Sequence, residues 1–219
     1  MLQNVSKMKE KLFFFILITC SFLVEAQENM ERKRGWLRTG IVYGFASQNT
    51  YLKQDSDYLY ENNIFKLSGQ YLWSKKRKHA WEILVEPSYY SSKHKMINYW
   101  FISHTVENGD ELRAKFMPLK SINEYVLNLG IVYRRFLSNN SSLYALGNVG
   151  PMYIDTDTER LKKGFAFSDI FALGYNYKMN TLSFDVRSMI RHVSNANLQK
   201  PNFGLNSVGF EFGMYYEFL

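Results

Sequence analysis

The chain has 219 residues, of which 46% are hydrophobic, and it carries a formal net charge of +7. This length suits a single domain, and a mean hydropathy of −0.30 excludes a bundle of membrane helices. Aromatic residues make up 17% of the chain, whereas it contains only 4 prolines, a composition typical of β-strands. The positive charge alone does not distinguish a nucleic-acid ligand from an anionic lipid.

The N-terminus has the pattern of an export signal. Three lysines precede an apolar run over residues 12–24, and small residues follow it, which predicts a cleaved signal peptide over residues 1–26. The run is shorter than the roughly 20 residues that a membrane helix needs. The only cysteine, Cys20, lies inside the run, so residues 27–219 form the mature single domain without a thiol. Export also argues against a nucleic-acid partner.

Period-two alternation of apolar with small or polar residues recurs in eight stretches of the mature chain. Connections between the stretches alternate between short and long, and an even number of strands suits a closed antiparallel ring. We therefore predict an all-β fold, an eight-stranded antiparallel transmembrane β-barrel with short turns and both termini in the periplasm. Asp169 interrupts the apolar face of the sixth stretch, and the phase of the fifth is ambiguous. The stretches are Leu37–Phe45, Phe65–Trp73, Trp81–Tyr89, Tyr125–Tyr133, Leu143–Tyr153, Phe165–Tyr177, Leu182–Ile190 and Val208–Phe218.

A soluble eight-stranded barrel of the lipocalin kind is the alternative fold, since it would show the same alternation with the apolar face turned inward. Two features favour the membrane. Many apolar-face residues near the strand ends are Tyr or Trp, as in the aromatic girdles of membrane barrels. The opposite face carries Gly, Ser, Glu and Arg, which fit a small polar lumen.

A histidine and a serine lie two positions apart near the end of the seventh stretch. On a strand, His192 and Ser194 share a face, with Cα atoms roughly 6.5–7 Å apart, and a histidine that accepts a serine proton makes the hydroxyl nucleophilic. Counting by twos from Leu182 places both on the lipid-facing side. Counting back from Phe218 places Asn206 there too, opposite His192 if paired residue numbers sum to about 398. The alternative interpretation is that these polar residues only mark the strand leaving the membrane.

The segment RHVSNANLQKPNFGLN, residues 191–206, resembles the H-x-S-N-A…P-N-x-G segment of the lipid A 3-O-deacylases, the PagL-type outer-membrane acyl hydrolases. The signal peptide, the eight strands and the motif on the penultimate strand agree with this family as well. The resemblance implies an active site that opens sideways into the outer leaflet. It implies that His192 and Ser194 are the catalytic pair and that Asn195 and Asn202 lie around the oxyanion site.

The chain departs from the family at the third catalytic position. The family's triad acid, a Glu, falls on Asn206, which can orient a histidine but stabilises the imidazolium less than a carboxylate does. We consider Asp169 as a substitute acid, because a hairpin closed by Tyr177 and Leu182 would set it diagonal to His192. The alternative is a shifted strand in which Asp169 simply points inward.

The resemblance implies a serine esterase that removes an ester-linked 3-hydroxyacyl chain, at position 3, from lipid A of lipopolysaccharide in the outer leaflet. It implies no cofactor, and the other histidines lack the spacing of a metal site; a homodimer remains open. Two other functions also remain open. One is a non-enzymatic structural or adhesive outer-membrane barrel, and the other is a phospholipase-like acyl hydrolase, since a Ser–His pair does not reveal which ester is cleaved.

Basic residues in the third and fourth long connections suggest a contact with the lipid A phosphates. These are Arg160, Lys162 and Lys163 in the third connection and Lys200 in the fourth, and charge-assisted hydrogen bonds to phosphate are strong. The same connections contain acidic residues, which weakens this interpretation.

Overall fold

The computed structural model describes residues 37–49 and 55–218; the predicted signal peptide lies outside these residues. Eight antiparallel strands form a closed ring in chain order, with the last strand paired to the first. The predicted eight-stranded antiparallel barrel is confirmed. The strands are β1 (Leu37–Ser47), β2 (Tyr58–Lys75), β3 (His79–Met96), β4 (Lys120–Phe136), β5 (Ser141–Ile154), β6 (Gly164–Met179), β7 (Leu182–Ser194) and β8 (Leu205–Phe218).

Several strands extend beyond the predicted stretches at the end that carries the long loops. β2 begins at Tyr58 and β3 ends at Met96, where the alternation predicted strand ends at Phe65 and Tyr89. In these extensions the apolar residues point inward, and Tyr58 and Tyr60 are fully buried. The face that carries apolar residues therefore reverses where the strands leave the membrane for water, because the outer surface there no longer contacts lipid.

The longest loop, which we call L2 (residues 97–119), contains helical structure that the alternation did not predict. A short 3-10 helix spans Tyr99–Phe101, and helix α1 spans Gly109–Phe116. Phe116 packs with Met96 and Ile102 in a small apolar cluster above the barrel. In the part of the chain that the structure describes, no helix is both long and apolar enough to cross a membrane.

The outer wall of the barrel is apolar. Leu67 and Leu173 are 63% and 58% exposed, and they belong to a continuous band of outward-facing aliphatic and aromatic side chains. Tyr and Trp residues lie toward both ends of this band, as in the girdles of transmembrane barrels. The apolar face is therefore external, and the lipocalin-like alternative is wrong. The aromatic residues toward the short-turn end include Trp73, Trp81, Tyr175, Tyr177 and Tyr216, and those toward the long-loop end include Tyr125 and Tyr153.

The lumen is packed with paired charges alongside buried apolar side chains such as Ile64 and Leu84. In four ion pairs a cation lies against a carboxylate, and both partners are almost completely buried. Buried ions are tolerated only when they are paired and hydrogen-bonded, so the lumen is a packed core and not an open channel. The pairs are Arg191–Glu124 (2.7 Å), Lys66–Glu211 (2.8 Å), Arg187–Glu86 (3.0 Å) and Arg134–Glu82 (2.5 Å).

We predict that this core determines the stability of the barrel. The Arg191→Met substitution leaves the Glu124 carboxylate buried without its cation, so the free energy of unfolding should fall by about 3–5 kcal/mol. Urea unfolding in detergent micelles measures this. Lys115→Met is the control, because the Lys115–Asp157 pair is exposed, at 48% and 28%, and such pairs contribute about 0–1 kcal/mol. Equal losses in the two variants would contradict the prediction.

Candidate functional site

His192 and Ser194 lie on the outer wall at the long-loop end of β7. His192 is exposed and Ser194 is half-buried. Arg191, which precedes them, and Val193, which lies between them, point into the lumen. The strand pleat therefore turns the pair toward lipid, as the alternation predicted. Among the described residues no hydrogen bond joins Ser194 to His192; they share a face two positions apart, and catalytic hydrogen bonds are often loose without substrate.

Asn206 holds the imidazole of His192 from the neighbouring strand. β7 and β8 pair His192 directly with Asn206, as predicted, and His192 Nδ1 lies 2.7 Å from Asn206 Oδ1. An amide oxygen only accepts hydrogen bonds, so Nδ1 carries the proton and donates it. In the neutral imidazole with this tautomer, the Nε2 atom has a free lone pair and can accept a proton from a hydroxyl.

The type of pairing explains why these two side chains meet. Directly before the first residue of β7, Glu217 N–H donates to Thr181 O over 2.8 Å, so Thr181 and Glu217 form a hydrogen-bonded pair. Hydrogen-bonded and non-hydrogen-bonded pairs alternate along an unbroken antiparallel ladder. His192–Asn206 lies an odd number of residues further along and is therefore non-hydrogen-bonded. Side chains in such pairs are closer together, which suits a direct contact between imidazole and amide.

Asp169 lies on the other side of His192, and the predicted register of this hairpin is wrong. β6 and β7 are closed by Met179 and Leu182, so Asp169 pairs directly with His192 and is not diagonal to it. The connecting turn is two residues long, with Asn180 at φ 56°, a conformation that asparagine tolerates. Asp169 is exposed on the outer wall, so the alternative of an inward Asp169 is also wrong.

Asn195 and Asn202 fix the shape of the loop after β7, which we call L4 (residues 195–204). Asn195 is buried; its backbone N–H donates to Asn202 Oδ1 over 2.8 Å, and its side-chain amide donates to the carbonyls of Gln199 and Pro201. These bonds stabilise the sharp turn at the start of L4. The donor groups of Asn195 are thus used within the loop.

The turn that follows Asn195 exposes backbone donors beside Ser194. Ala196 and Asn197 both have positive φ values, 51° and 61°, which non-glycine residues adopt only when the surrounding structure holds them. In the part of the chain that the structure describes, their N–H groups have no hydrogen-bond partner. They lie two and three positions from Ser194, within a loop that is held at both ends.

Three further residues surround His192 and Asn206 without having been singled out for this role from the sequence. Tyr58 reaches the backbone of Asn206, and Arg160 bonds to the carbonyl of Gly204. Gly204 itself packs against the imidazole of His192. The continued alternation through Tyr58 could have predicted a longer β2, but no local pattern indicates that this hydroxyl meets β8.

The third long loop, which we call L3 (residues 155–163), contains the basic residues that the sequence linked to phosphate. Lys162 lies 3.7 Å from the carboxylate of Asp157, and Lys115 of helix α1 lies 3.1 Å from it. Partial burial tends to raise the pKa of Asp157, but hydrogen bonds from the Lys163 N–H and from Lys115 hold that pKa below its ordinary value. Lys162 and Lys115 therefore join L3 to L2 through a charged carboxylate, whereas Arg160 turns inward.

Comparison with known proteins identifies relatives of this architecture. The lipid A 3-O-deacylase (PagL) family matches residues 96–215, which is more than half of the chain and includes His192, Ser194 and Asn206. No curated protein sequence matches the chain. Among solved structures, the outer membrane enzyme PagL is similar, with 14% identity, a TM-score of 0.51, and coverage of 81% of this chain and 97% of that one.

Other outer-membrane barrels resemble the chain more weakly. Neisserial surface protein A has 12% identity and a TM-score of 0.44, over 84% of this chain and 97% of its own. OprG from Pseudomonas aeruginosa has 12% identity and a TM-score of 0.41, over 84% and 95%.

The similarity to the PagL crystal structure supports the barrel fold, and the family match spans most of the strands together with L2, L3 and L4. The chain therefore belongs to the lipid A 3-O-deacylase (PagL) family and is a protein of the bacterial outer membrane.

Proposed function

We propose that this protein is a serine esterase that removes the ester-linked 3-hydroxyacyl chain at position 3 of lipid A. The observation that carries the proposal is the 2.7 Å contact between His192 Nδ1 and Asn206 Oδ1 on the lipid-facing wall, on the same face of β7 as Ser194. Polar side chains on such a wall are costly to the barrel. A catalytic role gives a reason for their position.

The reaction begins with proton transfer from Ser194 Oγ to His192 Nε2. Oγ attacks the ester carbonyl, and the tetrahedral intermediate collapses to an acyl-enzyme as His192 returns the proton to the departing 3-hydroxyl of the sugar. Water, activated by the same imidazole, then hydrolyses the acyl-enzyme. The products are a free 3-hydroxy fatty acid and a lipid A that lacks one acyl chain.

The oxyanion site belongs to the start of L4. Since the donors of Asn195 are engaged within the loop, we assign the oxyanion donors to the N–H groups of Ala196 and Asn197, with the amide of Asn202 nearby. Asn195 and Asn202 then act by holding these groups in place. An oxyanion donor of this kind contributes about 3–4 kcal/mol to transition-state stabilisation in serine hydrolases.

The two roles of a triad acid are divided between two strands in this proposal. Asn206 on β8 fixes the tautomer and orientation of His192, which a neutral amide oxygen can do. Asp169 on β6 supplies the negative charge that favours the imidazolium formed during the reaction. In a triad with one acid, a single carboxylate does both.

The outward position of the site also suits the substrate. Lipid A is an amphiphile of the outer leaflet, and a site on the outer wall receives its acyl ester by lateral diffusion, without extraction from the membrane. All the groups named above belong to one chain. The proposed reaction therefore requires neither a second copy nor a cofactor.

We predict that Ser194→Ala abolishes deacylation. Cells that produce the wild-type protein should contain lipid A lighter by one hydroxyacyl group, and this species should be absent with Ser194→Ala, because the nucleophile is lost. Mass spectrometry of extracted lipid A measures the change. Ser188→Ala is the matched control, since Ser188 lies on the same outward face of β7 and pairs with Phe210, away from His192.

The other outcomes of this experiment identify the alternative functions. Unchanged lipid A together with Ser194-dependent loss of phospholipid acyl chains would favour a phospholipase-like hydrolase. No change in either lipid would favour a structural or adhesive barrel.

We predict that the effect of Asp169 depends on residue 206. Asp169→Asn should lower kcat about ten- to a hundredfold, less than the roughly ten-thousandfold loss in a protease triad, because Asn206 still holds the tautomer. In an Asn206→Asp background the same substitution should cost less than about threefold, since a carboxylate then contacts Nδ1 directly. Steady-state deacylation of lipid A in micelles measures both effects.

Equal effects of Asp169→Asn in the two backgrounds would contradict the divided-acid proposal. Full activity of Asp169→Asn in the natural background would leave Asn206 as the sole partner of His192.

A further inference from the structure

Among residues 37–49 and 55–218, no strand pairs with the start of β8 on its β1 side, and a tyrosine hydroxyl contacts the backbone there. The β1–β8 ladder ends at Ser47 and Val208, whereas β8 begins at Leu205. Beyond the ladder, Asn206 N–H donates to Tyr58 Oη over 3.1 Å, and Tyr58 Oη lies 3.5 Å from Asn206 O, to which it donates. Tyr58 is fully buried, so this contact satisfies both backbone groups of the residue that holds His192.

Arg160 supports both Tyr58 and the chain just before Asn206. Its guanidinium lies over the Tyr58 ring, 4.4 Å from the centroid, and its Nε donates to Gly204 O over 2.8 Å. The backbone of Arg160 accepts a hydrogen bond from Phe203 N–H over 2.9 Å. One residue of L3 thus fixes the last two residues of L4 and the tyrosine that holds Asn206.

Gly204 transmits this support to the imidazole. A Cβ atom at Gly204 would lie 2.8 Å from His192 Cε1, so the Gly204 backbone is in close contact with the ring. Its φ of 72° also favours glycine. The imidazole is therefore held at Cε1 by Gly204 and at Nδ1 by Asn206. Arg160 fixes the first of these residues, and Tyr58 fixes the second.

We propose that Tyr58 and Arg160 are positioning residues for His192. In the described part of the chain neither forms a hydrogen bond with Ser194; they fix the backbone on which the orientation of the imidazole depends. In this proposal Arg160 holds L3 and L4 in their relative positions and does not bind a lipid A phosphate. The kinetic consequences rest on the proposed esterase function, whereas the effect on the imidazole itself does not.

The first test is Tyr58→Phe, which removes only the hydroxyl. We expect kcat to fall about three- to tenfold, the effect of losing the hydrogen bonds between the Tyr58 hydroxyl and the Asn206 backbone, while KM changes less than twofold. Tyr89→Phe is the matched control, because it also loses a tyrosine hydrogen bond, to Asn123 Oδ1 at 2.6 Å, away from the site. Equal kcat in Tyr58→Phe and the wild type would overturn the role of Tyr58.

The second test separates positioning from phosphate binding at Arg160. Arg160→Lys keeps the positive charge but loses the planar group that covers Tyr58 while bonding to Gly204 O. Positioning predicts that Arg160→Lys lowers kcat about as much as Arg160→Gln does, with little change in KM. Full activity of Arg160→Lys, with a raised KM in Arg160→Gln only, would overturn the proposal in favour of phosphate binding.

A third measurement does not depend on activity. Nitrogen NMR of histidine-labelled protein in micelles reports the tautomer of His192, and His192→Gln assigns its signals. We expect the wild-type ring to be protonated at Nδ1 and the tautomer ratio to shift in Tyr58→Phe and Arg160→Lys, while the signals of His79, which contacts Tyr133 at the other end of the barrel, stay in place. His94 is no control, because its ring lies 5.8 Å from that of Tyr58. An unchanged His192 spectrum in both variants would overturn the proposal. A shifted spectrum in a wild type without esterase activity would refute only the proposed function.

Discussion

The pleat of the β-strand is the constraint on which the rest of this structure depends. Because successive side chains point to opposite faces, Arg191 and His192 are neighbours in the chain but lie in different environments, one in the charged lumen and one against lipid. A slip of one residue would exchange them. The register is strongly specified here, because such a slip would turn the apolar outer residues into the lumen and expose the ion pairs to hydrocarbon. The same force that stabilises the barrel therefore fixes the direction of the candidate site.

The lumen of this barrel is packed, and its candidate site lies on the outer surface. The interior ion pairs, of which Arg191–Glu124 is one, leave the barrel a rigid scaffold without a channel. The loops at one end are tied to one another through Asp157 and Arg160. The candidate site is confined to a narrow strip of wall on β6, β7 and β8, where three strands meet lipid just below the loops. A rigid wall suits a site that must hold an imidazole in one orientation.

The sequence predicted the eight strands, the phase of all but the fifth, and the facing of His192, Ser194 and Asn206, because all of these follow from a period of two. It failed where a change of solvent reverses the pattern, as at Tyr58, whose ring points inward above the membrane. It also misplaced Asp169 by two residues along the ladder, since the length of the β6–β7 turn is not visible in the alternation. Contacts between distant segments, such as Arg160 with Gly204, have no periodic signature, and only the folded chain shows them.

The two-residue connection between β6 and β7 has a remote consequence. Met179 and Leu182 flank it at the periplasmic mouth, on the order of 30 Å along the strand from His192. Every partner in this hairpin is counted from that point, and a register shift of one residue would set inward-facing Arg191 opposite outward-facing Asp169. The facing of the strands therefore requires the turn itself to absorb any change in its length, so that Asp169 keeps His192 as its partner on the far side of the bilayer.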